Sequence, residues 1–556
     1  MPFFCKKMTQ LITRGRFVST GTSYEDVIRA LNTLQTNAQY LRAAKTNHSS
    51  GSESIQDMKK YLFRSGLTLE DVDKLSIIHV TGTKGKGSTC AFTEAILRQY
   101  GYRTGFYSSP HLIHVTERIR INGQPIKEDH FAKYFWHVFN KLSSQKESET
   151  DMPAYFKFIT VLMFHIFLNA DIDVVILEVG VGGEYDCTNI VRNPVCVGIS
   201  SLGLEHTMLL GNTLEEIAHQ KSGILKENSI AFTVPQPDNV INVIKQRAIE
   251  RNCELRMVPD FKSYYWTRDP PDLGIPGPVQ EINASLAVQL AHTWILKMAN
   301  RNSRLSNGNE ADNRLIDTSE NNNACAAKIL RRSQFNSTFN GKENLHHSSL
   351  LHSESQISSV SATLDENNDF SIISPKKTAL ALSCCVWPGR TQVLCGRTMD
   401  FYLDGAHTSE SVEHCASWYL SKVDNKGAKR FLIFNITGDR DVFKLLKPLK
   451  RLHFEKVYFV PNISGKTVKL DQLELQTTSS LQHERCMRNH EIWGEKNSMV
   501  LKNVCEALSH ITSTFYSHRN TNNDEGKPQV LITGSLHLVG AALLVLDPNL
   551  TMKTNY

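Results

Sequence analysis

What the chain has little of removes several protein classes at once. None of its twelve cysteines stands in a C-x-x-C pair, so zinc binding and thioredoxin-like chemistry lack support and free thiols in a reducing compartment are expected. No apolar run is long enough to span a bilayer. The best, Ala154 to Ala170, is broken by Lys157 and His165 and reads as a buried helix. Charge of either sign is in short excess: 62 Lys and Arg against 56 Asp and Glu leave +6 over 556 residues. That is far from the concentrated basic face of a nucleic-acid binder, though it suits small anionic ligands. Acid is missing altogether before Glu25, whereas Lys6, Lys7, Arg14 and Arg16 occur there among hydroxyl residues. Residues 1–23 therefore read either as a mitochondrial transit peptide or as a disordered basic tail.

What is present is the composition of a globular protein, 40% hydrophobic and 21% charged, at a length that calls for two or three domains. A short β-rich run ending in Ile77-Ile-His-Val80 is followed by a Gly-rich turn and then by helical spacing from Ala91 to Tyr100. Further strand-like runs are Ile172 to Leu177, Val195 to Ser200 and Ile230 to Val234, with helical stretches between them and a helix around Asn283 to Met298. Strands alternating with helices predict a parallel sheet covered on both faces. Residues 300–377 are rich in Ser and Asn and poor in apolar periodicity, so a disordered insertion is expected there. A second α/β pattern follows in 378–556, with strands at Phe401 to Leu403, Phe431 to Phe434, Lys456 to Val460 and Gln529 to Ile532.

The strongest local signal is Thr81-Gly-Thr-Lys-Gly-Lys-Gly-Ser88 between a strand and a helix. Glycines let backbone N–H groups turn toward phosphate, the helix N-terminus adds partial positive charge, and Lys86 supplies a mobile cation. The spacing G-x-x-G-K-G-S departs from G-x-x-x-x-G-K-[ST], and an isolated turn of this composition is also compatible with a surface loop. The strand–loop–helix setting points to a nucleotide, with Lys84, Gly85, Lys86 and Gly87 as its contacts. Glu178 ends an apolar strand before another glycine-rich turn, where ligands of open α/β sheets bind. Taken alone it fits both a Mg²⁺ ligand and a solvated strand-end acid. His206 follows a strand at the same edge.

The stretch Val80 to Ser88 resembles the phosphate loop of the Mur-ligase superfamily. Gly101-Tyr-Arg-Thr-Gly-Phe-Tyr-Ser-Ser-Pro-His-Leu112 with Glu117 to Ile126 is similar to the folylpolyglutamate synthases, the animal type in particular. So are Glu178 to Asn189, Ser200 to His206, Trp387-Pro-Gly-Arg390, Asp404-Gly-Ala-His407, Phe434 to Arg440 and Thr533 to His537. The blocks span both halves in family order. Neither the leader nor residues 300–377 have a counterpart. The resemblance implies a Mur-ligase-like fold, with a P-loop ATPase domain over 24–299 and a smaller Rossmann-like α/β domain over 378–556.

It also implies roles. Ser108, Glu178 and His206 would hold magnesium, with Ser108 preferred to the rival hydroxyl of Ser88. Arg390 and Asp404 would contact ATP from the second domain, and Asn283 the adenine, although Gly277-Pro-Val-Gln departs from the commoner Gly-x-His-Gln before it. Lys221, in Gln-Lys-Ser-Gly-Ile224, matches a lysine that is carbamylated in the superfamily and then serves a second magnesium; carbamylation needs a neutral amine and so a depressed pKa. An exposed helix lysine is the other reading. His407 would lie where the family receives glutamate, and Met152 to Phe158 near the pterin or else in the core. Lys86, Lys221 and His407 are the expected catalytic residues.

The implied activity is ATP-dependent addition of L-glutamate in γ-linkage to tetrahydrofolate polyglutamates through an acyl phosphate, with Mg²⁺ and a monovalent cation such as K⁺. Reduced folates, glutamate and ATP are the expected partners, with no nucleic acid, no membrane span and a monomeric state. Mitochondrial and cytoplasmic forms are expected. A dihydrofolate or bifunctional synthase, and a nucleotide-binding regulatory protein without catalysis, are the alternatives.

Overall fold

The structure is a computed structural model that describes residues 23–34, 51–312, 373–423, 428–438, 440–466, 479–517 and 526–556. The expected leader, apart from Ser23, and residues 313–372 of the expected insertion lie outside the described residues. No helix among those described is long and apolar enough to cross a membrane.

Two sheets organise the chain. The first comprises β1 (Ile77–Thr81), β2 (Thr104–Tyr107), β3 (Ile119–Ile121), β4 (Gln124–Pro125), β5 (Val174–Glu178), β6 (Cys196–Ile199), β7 (Ile230–Thr233) and β8 (Glu254–Met257) in the order β4-β3-β2-β5-β1-β6-β7-β8. From β2 to β8 across the sheet all neighbours run parallel, and the β3–β4 hairpin adds an antiparallel edge. Strands β1 and β5 are buried along their whole length because helices cover both faces, which is why they read as unbroken apolar runs rather than alternating ones. The register pairs Val80 with Glu178, Tyr107 with Leu177 and Thr81 with Ile199. The segments that leave β1, β2, β5 and β6 therefore emerge side by side.

The helix Lys86–Gln99 packs between the sheet and two further helices, Pro278–Asp312 and Pro375–Ser383. On the other face Tyr155–Leu168 is the buried helix expected; its two polar interruptions are satisfied, Lys157 Nζ by Asp57 at 3.0 Å and His165 Nε2 by Ser65 Oγ at 2.9 Å. Fully burying a side chain such as Phe158 or Phe164 of that helix contributes ~1.5–3 kcal/mol.

The second sheet comprises β9 (Gln392–Cys395), β10 (Asp400–Asp404), β11 (Arg430–Phe434), β12 (Lys456–Phe459), β13 (Ser498–Val500) and β14 (Gln529–Thr533) in the order β13-β12-β11-β14-β10-β9. Only β9 runs antiparallel. This is the Mur-ligase-like pairing of two α/β units that was expected.

The units are joined by more than the chain. Ile113, from the loop after β2, is fully buried in the core of the second unit. A Cβ at Gly540 would stand 2.1 Å from the Leu112 carbonyl oxygen, so glycine alone lets the helix Leu536–Leu546 come this close. Glu117 holds the loop by accepting from the N–H groups of Leu112 and Ile113, each at 2.9 Å, and of His114 at 2.6 Å.

Two expectations need correction. The helix anticipated to end near Met298 continues to Asp312. The boundary at 378 falls inside the helix Pro375–Ser383, which belongs to the first unit: Ala381, Leu382 and Cys385 join its core, and the Tyr100 hydroxyl donates to Ser374 O at 2.8 Å. Amphipathic spacing over nine residues beside a Ser/Asn-rich stretch gave too weak a signal to attach this helix to either side.

Candidate active site

The loop after β1 is bent by two glycines. Gly82 (φ +150°) has no room for a side chain, since a Cβ would stand 1.9 Å from Ser200 Oγ, and Gly85 (φ +84°) lies in the left-handed region where it caps the helix Lys86–Gln99. The N–H groups of Thr83 and Lys84 donate to Ser201 O at 2.9 and 3.0 Å, tying the loop to the end of β6. The first N–H groups of the helix have no intrahelical acceptor, and with the helix dipole they make its start an anion site. Gly87 lies in that first turn beneath Trp387, where a Cβ would meet Nε1 at 3.2 Å. Trp387 stacks on Phe106 with ring centroids 5.3 Å apart and lies under the Arg120 guanidinium.

Two lysines converge on one oxygen. Lys86 Nζ donates to the Gly82 carbonyl at 3.1 Å and Lys221 Nζ donates to the same oxygen at 2.7 Å. Lys221, the last residue of the helix Leu214–Lys221, is 3% exposed, so the exposed-lysine reading is excluded. Burial first, and then the charge of Lys86, hold its amine well below the ordinary lysine range.

Glu178 is the buried final residue of β5, and its Oε2 accepts from Ser109 N at 3.1 Å. Burial pushes its carboxyl up, with Lys86 pulling the other way. Ser108, buried at the end of β2, thus adjoins it. His206 (φ +53°) is lowered to about 4 by burial, against the pull of Glu205, and is neutral at neutral pH. No group of three or more His, Cys, Asp or Glu is gathered among the described residues. A cation here would therefore need a hydroxyl, water or ligand oxygens to complete its shell. The Glu178 carboxylate and the adjoining Ser108 hydroxyl are hard oxygen donors of the kind that suits a divalent ion sharing its shell with phosphates and water.

From the second unit, Asp404 at the end of β10 is fixed by the backbone: Oδ2 accepts from Thr391 N at 2.8 Å and Oδ1 from Ala406 N at 2.9 Å. It thereby holds Thr391 at φ +40°, beside Arg390, whose guanidinium feels both Asp404 and Glu178. Asn283 is buried near the loop, with its Oδ1 2.1 Å from where a Gly85 Cβ would be and without a hydrogen-bond partner. Tyr155 and Phe158 of the segment anticipated near a pterin are core residues; Phe156 reaches toward the glycine-rich turn, where a Cβ at Gly180 would meet it at 2.5 Å.

Lys84, expected as a nucleotide contact, reaches from the loop toward the second unit. Its Nζ lies 3.0 Å from Glu205 Oε2 and 3.3 Å from His407 Nε2. Glu205 also faces His407 Nε2 at 3.0 Å and Arg440 Nη2 at 3.4 Å. Burial would raise the Glu205 carboxyl, but His407 and Lys84 outweigh it and hold it far below the usual range. Neither Glu205 nor Arg440 was singled out from sequence, although both lie in blocks that carry the resemblance.

A strand, glycine-rich loop and helix on one parallel sheet, with Lys84 of the loop meeting His407 of a second α/β unit, is the arrangement of a two-domain nucleotide-dependent α/β enzyme. No protein-family model matches the chain. It is 38% identical to mitochondrial folylpolyglutamate synthase of Cricetulus griseus over 96% of this chain and 93% of the relative. It is 37% identical to the Homo sapiens protein of that name (95% and 92% covered) and 34% identical to a Saccharomyces cerevisiae folylpolyglutamate synthase (97% and 89% covered). Among solved structures, Mycobacterium tuberculosis folylpolyglutamate synthase complexed with ADP superposes with a TM-score of 0.63 at 18% identity, covering 93% of this chain and 97% of that one. E. coli FolC in complex with DHPP and ADP gives 0.58 at 21% (92% and 98% covered). The chain belongs to the folylpolyglutamate synthase family.

Proposed function

We propose that this chain joins L-glutamate in γ-linkage to the terminal glutamate of a reduced folate, coupled to conversion of ATP to ADP and phosphate. The observation that carries the site assignment is the convergence of Lys86 and Lys221 on Gly82 O at the start of a helix. A folate γ-carboxylate oxygen attacks the γ-phosphorus of ATP and ADP departs. The glutamate nitrogen then attacks the acyl carbon, phosphate leaves, and the nitrogen gives up a proton.

The residues divide this work. Lys86 neutralises the transferring phosphate, and its link to Gly82 O keeps it poised until a phosphate draws it away. The orphaned Oδ1 of buried Asn283 suits a donor such as an adenine amino group. Asp404 shapes the loop that presents Arg390. Ser108, Glu178 and His206 would hold Mg²⁺, which when bound supplies positive charge to the phosphates. The buried, depressed amine of Lys221 suits carbamylation, which would turn it into an anionic ligand for a second ion. His407 faces the amine side.

Mammalian relatives carry the name mitochondrial, which supports a mitochondrial site of action. The leader 1–23 and a cytoplasmic form started at an internal Met such as Met58 belong to this proposal, checked by fusing residues 1–23 to a passenger. The activity itself is tested by ADP release that requires both a tetrahydrofolate and glutamate; release independent of either would overturn it.

A further inference from the structure

Glu205 has no part in the chemistry above, yet three basic side chains from both units meet on it. Lys84 comes from the phosphate loop, His407 from the turn after β10 and Arg440 from the segment after β11. The cluster is not a loose surface pair. The Glu205 side chain is 15% exposed and its three partners 24 to 28%, so water screens it only in part. The His407 ring is caught at both nitrogens. Nδ1 lies 2.6 Å from Gly405 O, which can only accept, so Nδ1 carries a hydrogen; Nε2 lies 3.0 Å from Glu205. A ring held at both ends cannot turn over without losing both contacts.

We propose that Glu205 is a positioning residue for the ligation, acting through His407 and Lys84 to seat the amine-side imidazole of the second unit against the phosphate loop. The inference rests on the folate-ligase reading. Its physical content is selectivity between the two half-reactions. The parts expected to act in acyl-phosphate formation are anchored elsewhere: Lys86 on Gly82, Glu178 on Ser109, Asp404 on Thr391 and Ala406, and Thr391 Oγ1 on Pro276 O at 2.9 Å. Of the three expected catalytic residues, Lys86, Lys221 and His407, it is His407 that contacts Glu205 directly. Attack by an amine needs reacting atoms about 3–3.5 Å apart, and a misplacement of about 1 Å costs on the order of 100-fold.

The test uses the full chain carrying Glu205→Gln, which keeps the shape and removes the charge. Steady-state rates are measured while glutamate and ATP are varied separately. Acyl phosphate is trapped as a hydroxamate with hydroxylamine, a small amine that needs no seating. The expected result is a fall of about 100-fold in kcat/KM for glutamate, with KM for ATP and the rate of hydroxamate formation close to those of the unaltered chain. Glu205→Asp, which restores the charge one methylene short, should recover part of the loss. Arg440→Gln, which removes a contact between the units but leaves the Glu205–His407 pair, should show a much smaller loss. Wild-type glutamate kinetics in Glu205→Gln would overturn the proposal. So would parallel loss of hydroxamate formation, or an equal glutamate-specific loss in Arg440→Gln. If Glu205→Gln does not fold, the same split is sought in Glu205→Asp, and an equal fall in both assays overturns it. Failure of the folate-ligase reading would appear separately, as no folate- and glutamate-dependent ADP release by the unaltered chain.

Discussion

At the end of β1 two lysine side chains share one carbonyl oxygen, whereas at the end of β10 each oxygen of a single carboxylate accepts from a backbone N–H group. Both places lie beyond the carboxyl ends of parallel strands, where ligands of such sheets bind. The first holds Lys86 by a neutral carbonyl oxygen, with no carboxylate on it, and so leaves it ready for an anion. The second directs its negative charge to the backbone of a loop that includes a residue at positive φ. The first unit thus supplies charge to a ligand, and the second supplies shape.

The contrast can be broken by substitution. Lys86→Ala removes the charge that moves to phosphate and should lower turnover by about 10²–10³-fold, the scale of losing one preorganised donor, while the melting temperature stays within a few degrees. Full turnover in the folded variant would mean that the loop is not the phosphate site. Lys221→Ala should slow the chemical step by about 100-fold with little change in KM for ATP. A short carboxylic acid should restore part of that rate if the lysine acts as a carbamate. Rescue by an amine instead would assign it a cationic role. Asp404→Asn keeps one good acceptor for two N–H groups and should lower kcat/KM for ATP by about tenfold, the equivalent of one lost charged hydrogen bond. A loss as large as that of Lys86→Ala would place Asp404 on the ligand itself and end the contrast.

The smallest effect concerns stability. His79 is wholly buried in β1, its Nε2 2.9 Å from Thr188 Oγ1, and burial lowers it to about 3 from 6.5. Between those values the unfolded chain binds a proton that the folded chain does not. Its contribution to stability is therefore complete above pH 6.5 and is lost progressively as pH falls toward 3. Denaturant midpoints measured across this range should fall with pH, and His79→Gln should flatten the slope without altering KM for ATP at neutral pH.

The sheet strands were legible where burial on both faces leaves an unbroken apolar run, as in Val174–Glu178 and Phe431–Phe434. β8 and β13 were not, because edge strands of four and three residues carry half-exposed side chains and no clear period. Glu178 and Lys221 were legible as types at a strand end and a helix end, but their burial was not, since it depends on segments such as those of Ser109 and Gly82, 69 and 139 residues away. Glu205 illustrates the limit. Its partners lie 121, 202 and 235 positions off, and its two nearest neighbours in sequence say nothing about any of them. For Asp404 the ligand contact is what the resemblance implies; the backbone N–H groups of Thr391 and Ala406 on its two oxygens are visible only in the geometry.

The helix Pro375–Ser383 has a further consequence. The chain leaves the described first unit along Pro278–Asp312 and returns to it along Pro375–Ser383, and both helices lie against Lys86–Gln99. Whatever is inserted between them is moored at both ends to the same body. Its length is thus free of the distance between the two sheets, so lineages could lengthen or shorten it, and an experimenter could replace it with a tag, without retuning how the halves meet.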